Sequence, residues 1–80
     1  MKEHKATLTK RHEQLLKHIA NGGSSKDFAE KYKLSPKTVS THRLAMMKEI
    51  DCHSVSEVTR YAIKFGYIDL GPLPEPFRIS

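Results

Sequence analysis

Histidine and cysteine are the residues in this chain best suited to hold a metal ion or carry a nucleophile. There are five histidines, His4, His12, His18, His42 and His53, and one cysteine, Cys52. His12 and His18 stand six positions apart, which puts them on different faces of a helix. No pairing of Cys and His has the spacing of a zinc site. Glycine-rich phosphate loops and nucleophile motifs are absent from the sequence as well. Metal ligation, a bound cofactor and catalysis are therefore not expected. Cys52 has apolar company and reads as a small core residue. A single cysteine also leaves no internal disulfide, which suits a reducing compartment.

A second group of residues points to a different chemistry. Between Lys31 and Lys48 lie Lys31, Lys33, Lys37, Arg43 and Lys48, with no acidic residue among them. Such a stretch attracts phosphates, and each phosphate it neutralises releases counterions. Projected as a helix with Val39 at zero, Arg43, Met46 and Ile50 fall at about 40°, 340° and 20°, and His42 at about 300°. That is a buried face and its flanks. Lys37, Ser40, Thr41, Leu44 and Lys48 gather within roughly 60° of the opposite side, at 160°. Lysines and hydroxyls on a solvent face are ordinary. A leucine in their middle suits contact with thymine methyl groups in a major groove, as well as plain exposure.

Four segments of helical length must position these residues. Gly22-Gly23, Ser35-Pro36, the stretch from Asp51 to Ser54 and Gly66 punctuate the chain. They predict an all-α fold with helices at about 10–21, 25–32, 36–50 and 55–65. Thr9, Ser24, Ser35 and Ser54 are the expected N-caps, with Pro36 at the first helical position and Ser54/Glu57 as a capping box. Apolar residues recur at helical spacing: Leu15, Leu16 and Ile19; Phe28, Ala29 and Tyr32; Val39, Met46 and Ile50; Val55, Val58, Ala62 and Phe65. The middle pair has the arithmetic of a helix-turn-helix. Ala29 is small where two helices cross, Val39 fills the space between them, and Lys33 stands where many such turns carry a left-handed glycine.

Size and charge agree with a small binding domain. Eighty residues with 14 Lys+Arg against 9 Asp+Glu give a formal charge of +5, the balance expected of a protein with a polyanionic partner. At roughly 100–200 residues per domain, a second core does not fit. The apolar runs fall far short of the ~20 residues that cross a bilayer, and MKEHKATLTKRH has no apolar signal region. A soluble, cytoplasmic and nucleoid-associated protein is expected. Residues 1–7 are charged and expected to be flexible. Residues 69–80, DLGPLPEPFRIS, read as a Pro-rich extended or disordered tail.

The stretches LTKRHEQLLKHIANG, SSKDFAEKYKLSPKTVSTHR and SVSEVTRYAIKFGYI resemble the LuxR-type (GerE-type) DNA-binding domain of bacterial transcription regulators. The resemblance covers residues 8–68. It implies a four-helix domain whose third helix enters the major groove of double-stranded DNA as a homodimer on inverted half-sites. By position it implies base-reading roles for Ser40, Thr41 and Leu44, and phosphate contacts from Lys37, Thr38, Arg43 and Lys48. His42 matches a typical flank histidine, expected to act structurally or near phosphate. The fourth helix would contribute the dimer contact, with Val58, Tyr61 and Phe65 as candidates. Family members carry such a domain behind a phosphoreceiver or ligand-sensing domain, so a stand-alone regulator and an excised domain both stand open.

Some positions depart from the family pattern: His12 for glutamate, Ser40 and Glu49 for lysine, Ala45 for asparagine and Asp51 for glycine. The lost positive charge at Ser40 and Glu49 weakens phosphate attraction. Glu49, Asp51 and the apolar tail residues Leu70, Leu73, Phe77 and Ile79 support an alternative. In that reading the domain is an interaction module that modulates another regulator without strong DNA binding of its own.

Overall fold

Four hydroxyl side chains start the four helices. The computed structural model describes residues 1–68, and the expected tail at 69–80 lies outside the described residues. Its elements are α1 (Lys10–Ala20), α2 (Ser25–Tyr32), α3 (Pro36–Ile50) and α4 (Val55–Lys64). Thr9 accepts from the His12 N–H at 3.2 Å and Ser24 from the Asp27 N–H at 3.1 Å. Ser35 accepts from the Thr38 N–H at 3.1 Å and Ser54 from the Glu57 N–H at 3.2 Å. Each cap satisfies an amide that its helix leaves unpaired and contributes about 1 kcal/mol. The capping box at α4 is shifted by one residue. The Glu57 carboxylate takes the N–H of His53 at 2.6 Å, rather than that of Ser54.

The helices end in two ways. α1 and α4 stop at Gly22 and Gly66, whose φ angles of +90° and +77° need no side chain. α2 and α3 stop at Lys33 and Asp51, both left-handed at φ +53° without being glycine. The left-handed conformation costs a side-chain-bearing residue roughly 1–2 kcal/mol. Lys33 is exposed, and the Leu34 N–H bond to the Ala29 carbonyl at 2.8 Å uses backbone only. Lys33→Gly should therefore raise stability by about 0.5–1 kcal/mol, after the extra freedom of glycine in the unfolded chain is subtracted. In a thermal melt followed by circular dichroism this is a Tm increase of roughly 3–6 °C. An unchanged or lower Tm would show that no strain is stored in the turn.

α1 packs against α4 and α3, and α2 packs against α3. The core they enclose is Leu15, Leu16, Ile19, Phe28, Ala29, Val39, Met46, Ile50, Cys52, Val58, Tyr61 and Ala62. Ala29 and Val39, the residues expected between the two middle helices, are both buried. Cys52 is a core residue too, and burial pushes its thiol pKa up, away from the reactive thiolate. A Cβ at Gly23 would run into the imidazole of His18, which bonds the Ser24 carbonyl at 2.9 Å and sits edge-on to Phe28. Glycine at this position lets the α1–α2 connection close over that ring.

Two features go beyond what the sequence showed. Val55 belongs to the apolar stripe of α4 in the sequence but is 47% exposed, while Tyr61 lies wholly inside. Residues 1–7, expected to be loose, make contacts back on the domain. The Ala6 N–H donates to the Tyr61 hydroxyl at 2.7 Å, and the Lys2 N–H donates to the Ile50 carbonyl at 3.1 Å. The Lys5 ammonium lies 4.8 Å from the centre of the Tyr67 ring. The cause is satisfaction of polar groups: a buried phenol requires a partner, and the last turn of a helix leaves carbonyls unpaired.

Candidate nucleic-acid interface

The solvent side of α3 is built from its buried side outward. Val39, Met46 and Ile50 are fully buried and lock the rotation of the helix. That rotation turns Lys37, Ser40, Thr41, Leu44 and Lys48 outward, and all five are exposed. Leu44 is 71% exposed, the most open large apolar side chain among the described residues. Beside it, Met47, Lys48, Cys52 and His53 help line an open depression of about 460 Å³. The apolar character of the face therefore extends from Leu44 towards half-buried Met47, which the helical projection alone did not single out.

Hydrogen bonds decide what each hydroxyl can offer. The Thr41 hydroxyl donates to the Lys37 carbonyl at 3.0 Å, so outward it presents only acceptor lone pairs and its methyl group. Ser40 makes no side-chain hydrogen bond among the described residues and keeps both a donor and an acceptor. Thr38 is exposed, with its hydroxyl 2.8 Å from that of Ser35. When Ser35 donates, the Thr38 O–H is left to donate outward.

Two expected residues are turned partly inward. The Arg43 Nη1 donates to the Ser25 hydroxyl at 3.1 Å, and the side chain is half-buried. It ties α3 to the first turn of α2, leaving only its remaining donors for a phosphate. His42 is half-buried with its ring edge-on to that of His12, centroids 5.6 Å apart, a link between α3 and α1. The sequence showed both residues near the buried face but gave no sign of these partners, which lie on separate helices.

The candidate dimer residues sit mostly inside the domain. Val58 and Tyr61 are fully buried, and Phe65 is half-buried with its ring 4.6 Å from that of Tyr61. They hold α4 within the domain. The outward side of that helix carries Val55 and Arg60 instead.

A short helix, a tight left-handed turn and a second helix with an exposed basic and hydroxyl-bearing face define a helix-turn-helix domain. The family of bacterial regulatory proteins called luxR, or GerE, matches residues 6–62, and the chain belongs to that family. It is 44% identical over 59 residues to an uncharacterized response regulatory protein, YgeK, of Escherichia coli, covering 74% of this chain and 40% of that protein. It is 40% identical over 62 residues to the oxygen regulatory protein NreC of Staphylococcus haemolyticus, covering 78% of this chain and 29% of that one. It is 31% identical over 64 residues to the transcriptional regulatory protein FixJ of Bradyrhizobium diazoefficiens, covering 80% and 31%. The chain thus spans less than half the length of these relatives. No solved structure matches it. No helix among the described residues is long and apolar enough to cross a membrane.

Proposed function

We propose that this chain is a sequence-specific, double-stranded-DNA-binding transcription regulator that sets α3 in the major groove. The observation that carries the reading is Leu44, 71% exposed at the centre of a face of lysines and hydroxyls. In this reading Ser40, Thr41 and Leu44 face base edges. Ser40 can donate or accept, Thr41 accepts, and Leu44 meets thymine methyl groups. Lys37, Thr38 and Lys48 hold phosphates on either side, and Arg43 adds one through the donors that Ser25 leaves free. The chain acts as a homodimer on inverted half-sites, with the outward side of α4 around Val55 as the contact. Because the chain spans only part of its response-regulator relatives, a receiver or sensor domain is the expected source of control. Its place is the cytoplasm, on the nucleoid.

The test is selection of binding sites from a random duplex pool with the purified protein at about physiological salt. Two enriched inverted half-sites are the expected outcome. A single enriched half-site would remove the dimer and keep the reading helix. Absence of enrichment, with binding that salt abolishes, would overturn the sequence-specific reading and favour an interaction module. The exposed Glu49 and Asp51 at the end of α3 are what that module would offer.

A further inference from the structure

The last turn of α3 is badly suited to lie near a phosphate backbone. Glu49 and Asp51 are exposed there, and the carbonyl end of the helix adds partial negative charge. Yet Lys48, placed at a phosphate in the reading above, belongs to the same turn. The N-terminal residues of the chain run to this spot. The Lys2 N–H takes the Ile50 carbonyl at 3.1 Å, one of the acceptors the helix end leaves unpaired. Lys2 also lines a shallow open depression with Ala45, Lys48 and Glu49. On the projection used above, Ala45 and Glu49 lie at about 240° and 280°, with Lys48 at 180°. Lys2 therefore stands on the flank of α3, next to the reading side.

We infer that residues 1–5 form an arm that extends the DNA surface beyond Lys48, with Lys2 as an additional phosphate contact at the end of the reading helix. The inference rests on the DNA-binding reading and adds to it a residue outside the segment, 6–62, that matches the family. The arm is held by the Lys2 N–H at Ile50, by the Met1 amino group 3.8 Å from the Asp51 carboxylate, and at its base by the Ala6 N–H on the Tyr61 hydroxyl. The Lys2 ammonium is therefore not consumed in anchoring. Among the described residues no carboxylate lies within ion-pair distance of it. Lys5 is directed elsewhere, over the Tyr67 ring. The arm thus meets Asp51 with the Met1 amino group and leaves the Lys2 ammonium beside Lys48 and Glu49, where a phosphate would otherwise face a carboxylate.

The experiment measures affinity for a selected duplex and for a random duplex across a range of salt. It compares the wild-type chain with Lys2→Ala and with Lys64→Ala. The second variant removes the same charge from α4, where Lys64 lies 5.3 Å from the Phe65 ring. Lys2→Ala should lower the salt slope by about one and weaken both duplexes alike, by about threefold to tenfold at moderate salt. Lys64→Ala should leave the slope in place. Equal small losses in the two variants would overturn the arm, because Lys2 would then count only through net charge. A wild-type chain that shows no salt-dependent duplex binding would instead remove the underlying DNA reading, and the arm with it.

Discussion

Phe28→Ala should destabilise the domain by about 3–5 kcal/mol, the usual cost of emptying a buried aromatic site. Phe28 is fully buried on α2 and meets the His18 ring at 5.3 Å and the Tyr32 ring at 4.5 Å, so its removal loosens α2 from α1 and from its own last turn. A folded domain of this length has only about 4–12 kcal/mol in total, from roughly 0.05–0.15 kcal/mol per residue. The variant is therefore expected to be marginal or largely unfolded at 25 °C. Urea unfolding followed by helical circular dichroism measures it directly. With a slope of about 1 kcal/mol/M for so small a chain, the midpoint should move down by about 3 M or vanish into the baseline. A shift worth less than about 1 kcal/mol would mean that Phe28 is not at the centre of the packing between α1 and α2.

The same dependence on local chemistry explains which features could be read from residue types alone. Helix starts were legible because a cap needs only one hydroxyl and an amide three residues on, a short-range match visible in Thr9, Ser24, Ser35 and Ser54. The face of α3 was legible because Val39, Met46 and Ile50 fix its rotation, and every other position follows from helical geometry. Contacts that depend on where distant segments meet were not legible. Tyr61 was a dimer candidate through the resemblance and its place on the fourth helix, and nothing in the sequence showed that the Ala6 amide, 55 residues away, donates to its hydroxyl. Arg43 read as a phosphate contact, and nothing in its residue type showed that Ser25, 18 residues earlier, takes one of its donors. Residues 1–7 read as loose because their charges suit solvent, and their contacts at Ile50, Asp51, Tyr61 and Tyr67 lie far along the chain, beyond any local pattern. The split falls on the reading surface in a useful way. Leu44, Ser40 and Thr41 depend on helix rotation alone, so their exposure does not hang on a long-range contact.

That independence makes Leu44 the sharpest point at which to test recognition. Leu44→Ala removes an isobutyl side chain that is 71% exposed and fills no cavity in the domain. Its effect on stability should stay within about 0.5 kcal/mol, as for other open surface sites. Alanine is also at least as good a helix former as leucine. Any loss of binding therefore belongs to the interface with DNA. At the duplex selected for the wild-type chain, the loss should be about 1–3 kcal/mol, or roughly 5–150-fold in Kd. On random duplex little should change, because phosphates are held by lysines that the substitution leaves in place. Lys48→Ala gives the opposite pattern in the same assay, weakening both duplexes alike and lowering the salt slope by about one. If Leu44→Ala weakened the two duplexes equally, the leucine would be touching backbone or supporting a neighbour. Base reading would then have to come from Ser40 and Thr41 alone. A preserved preference at the position facing Leu44, with affinity unchanged, would place that side chain outside the groove and shift the axis of α3 by about one residue around its circumference.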